Sequence, residues 1–298
     1  MNEGGRHRWW LLAISALSSL LVCCASAHAE PQRLLITPQS LDERIKTDGA
    51  PHLVLRDPEA PGEQPLFVWL AGTNGHPDKG PAQLFATALE QGYRVIGVSY
   101  LTDTAVAQIC TRERLARNPR CAAQVRQQRV WGDAPTELIP DREEDAIVPR
   151  LTRLLRYLAR TEPDAGWGRY VKGDEPDWSR IVVAGQSQGG GMAGYLAQGR
   201  SLAGVIMFSG GWDHGRDGDI APWYRRSGLT PPERWHATYQ VEEPQGRTMA
   251  EIYHALGVPD AHIHALDLPL RPGGKPHGEG IANPAYRSLW REMLKPAP

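Results

Sequence analysis

Gly185-Gln186-Ser187-Gln188-Gly189 follows the apolar run Arg180-Ile-Val-Val-Ala184 and precedes Gly190, Gly191, Met192, Ala193 and Gly194. A serine bracketed by glycines, between a β-branched run and a small-residue helical stretch, is the pattern of a nucleophile on a sharp strand-to-helix turn. Glycines are needed on either side because side chains there would meet the neighbouring strand and helix. A serine hydroxyl is a weak nucleophile at neutral pH. The chemistry therefore also needs a histidine base, and a carboxylate that holds the histidine in one tautomer.

His277, in Gly274-Lys-Pro-His-Gly-Glu279, follows the last expected strand and precedes the closing helix, on a Gly- and Pro-rich loop able to hold a ring at the sheet edge. Its competitors are worse placed: His254 falls within an expected helix, His236 at a strand entrance, and His262 and His264 on one strand. The last two share a face, which is a metal-ligand spacing but more often an ordinary strand position. Three carboxylates compete for the acid. Glu242 and Glu243 end the run Ala237 to Val241, and Glu243 before Pro244 is the better aimed of the two; Asp213 follows the preceding strand through Ser209-Gly-Gly-Trp-Asp213. Backbone N–H donors for a tetrahedral oxyanion are expected from Gln188, just after the serine, and from Thr73 or Asn74 in the turn Ala71-Gly-Thr-Asn-Gly-His-Pro77.

These groups need a scaffold. Apolar runs that read as strands recur at 52–55, 66–70, 94–99, 180–184, 202–208, 237–241 and 263–267, several of them apolar on both faces as buried parallel strands are. Helical patterns lie between them at 82–91, 143–160, 190–198, 248–257 and 286–294. The alternation predicts an α/β chain with a doubly wound, mostly parallel sheet. Two stretches interrupt it, 101–140 and 211–235. The second carries Trp212, Trp223, Tyr224 and Trp235, which either form a small lid over a substrate cleft or anchor the loop to the core.

The segment 1–29 has Arg6 and Arg8, an apolar run from Trp9 to Cys24, and Ala27-His28-Ala29 before Glu30. That is the pattern of a secretory signal peptide, leaving one domain over 30–298 in the periplasm or outside the cell, with no stable membrane anchor. Two cysteines then remain, Cys110 and Cys121. An even count in an oxidising compartment favours a disulfide over two buried thiols. The formal charge of the chain is −1. Losing Arg6, Arg8 and Glu3 would move it only to −2, so nothing here attracts nucleic acid. No HExxH motif or Cys/His cluster indicates a metal, and no cofactor is expected.

Serine, acid and histidine in that order, on alternating strands and helices, resemble the α/β-hydrolase superfamily from Leu66 to Leu294. Phe67-Val-Trp-Leu-Ala-Gly-Thr-Asn-Gly75, Gly92-Tyr-Arg-Val-Ile-Gly-Val-Ser-Tyr100, the cysteine pair and Trp178 to Gly189 look like a poorly characterised family of bacterial secreted α/β hydrolases. The resemblance implies Ser187 as nucleophile, His277 as base and an acid after the strand at 237–241. The chain departs from the family in having Gln186 where many relatives have His, and Glu243 where Asp is commoner.

The expected function is that of an exported serine hydrolase acting on a small-molecule carboxylic ester through an acyl-enzyme, with thioesters, lactones and peptides as related substrates. The alternative is a catalytically silent envelope binding protein that keeps the cleft but lacks a working acid.

Overall fold

A computed structural model describes residues 1, 30–46, 49–60 and 65–295. The segment read as a signal peptide therefore lies, apart from Met1, outside the described residues. Eight strands form one sheet: β1 Gln32–Ile36, β2 His52–Arg56, β3 Leu66–Leu70, β4 Arg94–Val98, β5 Ile181–Gln186, β6 Gly204–Phe208, β7 Trp235–Gln240 and β8 Ile263–Leu266. Their spatial order is β1-β2-β4-β3-β5-β6-β7-β8. The β1–β2 and β2–β4 pairs are antiparallel and all others parallel. The expected doubly wound sheet is thus present, with one strand more than the sequence suggested. β1 escaped because its apolar run, Leu34 to Ile36, is only three residues long, and Leu34 and Leu35 are exposed in the fold.

Strand alternation divides the core in two. Val68, Leu70, Ile96 and Val98 face one side and Phe67, Trp69 and Val95 the other. The first side is covered by α2 (Cys121–Trp131), α3 (Ile147–Thr161), α4 (Gln188–Gly199) and α5 (Gly246–Ala255), the second by α1 (Ala82–Glu90) and the C-terminal α7 (Arg287–Met293). In α3, Ile147, Leu151, Leu154, Leu155 and Leu158 recur every three or four residues and are all buried, which seats that helix against β4 and α2.

The stretch 101–140 is more helical than its sequence suggested. It contains Val106–Ile109, Arg112–Arg117 and α2, and the Cys110–Cys121 disulfide ties the end of the first helix to the start of the last. In 211–235 the aromatics divide by role. Trp223, Tyr224 and Trp235 are buried and anchor the segment to the core, whereas Trp212 is only partly buried. No helix among the described residues is long and apolar enough to cross a membrane.

Candidate active site

The parallel strands β5, β6 and β7 end side by side, and the segments leaving these ends carry Ser187, Ser209 and Glu243. Ser187 has φ +59° and ψ −122°, a conformation that non-glycine residues rarely adopt. The turn is forced by the close approach of α4 to β5 and β3: a Cβ on Gly185 would lie 2.3 Å from the Gly189 carbonyl carbon, and one on Gly189 would lie 2.1 Å from the oxygen of Leu70 at the end of β3. Neither position tolerates a side chain, so both glycines of the motif are fixed by packing. The Ser187 amide donates to the Phe208 carbonyl at 2.9 Å, which pins the turn to β6.

His277 lies at the second position of α6 (Pro276–Ala282), not on a loop. Pro276 opens the helix, where its missing N–H costs nothing because first-turn amides have no partner inside the helix. The glycine and proline content that suggested a loop belongs to the approach, Pro272 to Lys275. Glu279 anchors that approach: buried, it accepts from the Arg271 backbone and guanidinium at 3.2 and 3.0 Å and from Asn283 at 2.8 Å.

Of the three carboxylates, Glu243 is the one brought to the histidine. Its Oε2 stands 2.7 Å from His277 Nδ1, while its Oε1 accepts from the Ser209 hydroxyl at 2.5 Å and the Gln240 amide at 3.0 Å. Burial disfavours its charge, but the bonds from His277, Ser209 and Gln240 outweigh that and hold its pKa below the ordinary carboxylate value. Asp213 is turned elsewhere. Its oxygens are taken by the Arg126 guanidinium at 2.5 and 2.7 Å and by the Trp223 indole N–H at 2.9 Å. Glu242 is exposed, and no hydrogen bond joins its carboxylate to His277 among the described residues. Neither Asp213 nor Glu242, the two alternatives read from the sequence, is hydrogen-bonded to His277 among the described residues. The first carboxylate neutralises a buried arginine and the second faces solvent.

A continuous path joins the serine to the histidine. The Ser187 amide reaches Phe208; the next residue, Ser209, holds Glu243; Glu243 holds His277; and the His277 carbonyl accepts from Gln186 Nε2 at 3.1 Å, one residue before the serine. Trp212 closes over it, its ring 5.1 Å from that of His277. Ser209 is the member that sequence reasoning missed as a positioning group, and Gln186, expected only to orient the turn, also reaches His277. The signal for Ser209 was present in Ser209-Gly-Gly211 after an apolar strand, and its φ of +44° is the second strained serine of the site.

Ser187 opens into a small cavity of about 40 Å³ that Thr73, Gln188, Val106 and Trp212 also line. Gln188 begins α4, where amides lack helical acceptors, and its side-chain oxygen accepts from the Val106 amide at 3.1 Å. Thr73 and Asn74 separate here. The Asn74 amide is taken up by the segment after β4, donating to the Thr102 carbonyl at 3.0 Å, and Asn74 has a φ of +57°. The Tyr100 hydroxyl steadies the same loop by donating to the Ala71 carbonyl at 2.5 Å.

The fold is the α/β-hydrolase fold. It rests on the strand order and on the elbow at the end of β5. No protein-family model matches the chain, and no curated protein matches it in sequence. Several solved structures are similar at low identity. A bacterial heroin esterase is 16% identical, with 89% of this chain and 84% of the other covered and a TM-score of 0.47. The Thermus thermophilus protein TT1662 is 15% identical, with 89% and 97% covered and a TM-score of 0.46. A thermostable esterase from Pseudomonas putida ECU1011 is 14% identical, with 90% and 82% covered and a TM-score of 0.46.

Within this hydrolase fold the four other histidines weighed as bases lie away from the elbow. His236 stacks on His262 with ring centroids 4.3 Å apart, and its Nδ1 stands 3.5 Å from His264 Nε2. All three sit at the starts of β7 and β8, at the opposite end of parallel strands from Ser187. His254 is on α5, where it pairs with Asp260 at 3.1 Å.

Proposed function

We propose that the chain is an exported serine hydrolase that cleaves carboxylic esters through an acyl-enzyme, with 30–298 as its single domain. Ser187 is the nucleophile, His277 the base and Glu243 the acid; the Gln188 and Thr73 amides receive the oxyanion. The observation that carries the reading is the path Ser187–Phe208–Ser209–Glu243–His277–Gln186, which ties a strained serine to a histidine whose Nδ1 is already committed to a carboxylate.

With Nδ1–H donated to Glu243, Nε2 of His277 is left as the acceptor for the Ser187 proton. Ser187 Oγ bonds to the acyl carbon as that proton passes to Nε2, and negative charge gathers on the former carbonyl oxygen. The bond to the alcohol oxygen then breaks and His277 returns the proton to it. Water attacks the acyl-enzyme by the same route, giving the free acid and restoring Ser187. Amides fixed by the β5–α4 turn need no reorganisation at the moment of reaction, which is why such donors are worth about 10²–10³ in rate.

Export is supported by the pattern of residues 1–29 and by the Cys110–Cys121 disulfide, a bond that persists in oxidising compartments. The silent binding protein was motivated by an uncertain acid, and the Glu243–His277 bond weighs against it. Ser187→Ala tests the reading. It should abolish turnover of p-nitrophenyl acetate and leave the thermal melting point within a few degrees of the parent; turnover at the parent rate would refute it.

A further inference from the structure

Ser187 lies at the narrow end of a funnel. The cavity beside it is small, about 40 Å³. It shares Val106, Ala107 and Asp213 with a cleft of about 530 Å³ walled by both segments that interrupt the α/β rhythm. A second cleft, of about 510 Å³, meets the elbow from the other side at Gln186 and includes Ile281 and Ala282 of α6. An ester has two halves, and the geometry separates them. The leaving oxygen must take its proton from His277, so the alcohol half belongs on the α6 side, in the second cleft. The acyl half is left the throat and the cleft beyond it.

The acyl cleft is graded along its length. Val106, Ala107, Cys110, Leu115 and Ala122 give it an apolar inner wall, with Cys110, Leu115 and Ala122 buried. Its rim carries Arg112 and Arg216, both exposed and neither with a carboxylate partner among the described residues. The negative groups do not cancel them: Asp213 is spent on Arg126, and Asp217 is a single carboxylate against two guanidinium groups. Other arginines nearby are engaged, Arg114 with the Ile109 carbonyl at 2.7 Å and Arg117 with Glu113 at 3.0 Å. Guanidinium groups free at the mouth of an apolar cleft suit a planar anion.

Resting on the serine hydrolase reading above, we propose that the preferred substrates are esters whose acyl group is an apolar chain or ring ended by a carboxylate, with the chain in the funnel and the anion between Arg112 and Arg216. Rim charges act mainly on capture and respond to salt.

The test compares two p-nitrophenyl esters of equal length, the octanoate and the half-ester of octanedioic acid, on the parent and on Arg112→Ser/Arg216→Ser, with the ratio of their kcat/KM values as readout. The parent should favour the half-ester at low ionic strength and lose that preference as sodium chloride rises to 0.5 M. In the double variant the ratio should fall about three- to tenfold, the scale of two exposed charge contacts. A ratio that is the same in parent and variant, or insensitive to salt, overturns the proposal. Labelling of Ser187 by a fluorophosphonate keeps the two readings apart. Labelled Ser187 with an unmoved ratio defeats the acidic substrate alone, whereas unlabelled Ser187 with neither ester cleaved defeats the hydrolase and this inference together.

Discussion

The Asp213 carboxylate is locked onto the Arg126 guanidinium in a fork, Oδ2 to Nε at 2.5 Å and Oδ1 to Nη2 at 2.7 Å, with both side chains almost wholly buried. Burial works against the charge on Arg126, and Asp213 more than offsets it, so the guanidinium is held in its charged form. The Arg126 Nη1 also reaches the Gln188 carbonyl at 3.4 Å, so the pair braces the start of α4 from behind the serine. This arrangement assigns the two rival carboxylates different work, and that difference can be measured.

Glu243→Gln should lower kcat by about 10³–10⁴-fold without unfolding the protein. Its oxygen can still accept from Ser209 and Gln240, but an amide N–H facing Nδ1 imposes the wrong histidine tautomer. Asp213→Asn should act instead on stability, at a cost of about 3–5 kcal/mol for a buried arginine left without its partner. Steady-state rates and urea unfolding on both variants distinguish the roles; a large loss of kcat in a still-folded Asp213→Asn with little loss in Glu243→Gln would reverse them.

Stability should rise with pH between about 3 and 6.5. His52 is fully buried beneath Ser99, accepts its amide at 3.0 Å, and has a pKa pushed down to about 3 by burial and by nearby Arg150. A histidine pKa lower in the folded chain than in the unfolded one means that the unfolded state binds the extra proton across this window. Its effect on stability is therefore lost progressively as pH falls below 6.5, at up to about 1.4 kcal/mol per pH unit. His236, also pushed down to about 3, adds to the same slope. His52→Asn keeps an acceptor near Ser99 and removes one titration, so its urea-derived stability should depend less steeply on pH from 6.5 to 4. An unchanged slope would contradict this.

The Cys110–Cys121 bond should matter to both fold and site. Closing a short loop, it is worth about 2–4 kcal/mol. Cys110 ends the helix that starts at Val106, the residue whose amide holds the Gln188 side chain at 3.1 Å. The Cys110→Ser/Cys121→Ser variant should unfold at lower guanidinium concentration and show reduced kcat/KM while still folded. Equal midpoints in parent and variant would refute the stabilising role.

The sequence carries the local parts of this architecture more clearly than the distant ones. Ser187 was legible because the requirement for Gly185 and Gly189 arises within one turn, and the buried strands were legible as continuous apolar runs. His277 was found by its order in the chain, though Pro276 reads equally as loop former or helix opener. The acid was ambiguous for a physical reason: Asp213 and Glu243 each follow a strand of the same parallel sheet, and only the buried guanidinium of Arg126, 87 residues before Asp213, separates them. Nothing in the polar run around Arg126 announces a buried residue. Tyr100, Ser209 and Gln186 act through partners distant in sequence. The aromatics of 211–235 were expected to serve one role together, and burial splits them, with Trp212 at the site and Trp223, Tyr224 and Trp235 in the core.

Incubation of the purified protein with a fluorophosphonate, followed by mass spectrometry of the peptide that contains Ser187, tests the central claim most directly. An activated serine should be labelled at Ser187 in the native protein, far more slowly in Glu243→Gln, and not at all after heat unfolding. Native, folded protein that leaves Ser187 unmodified would contradict the account.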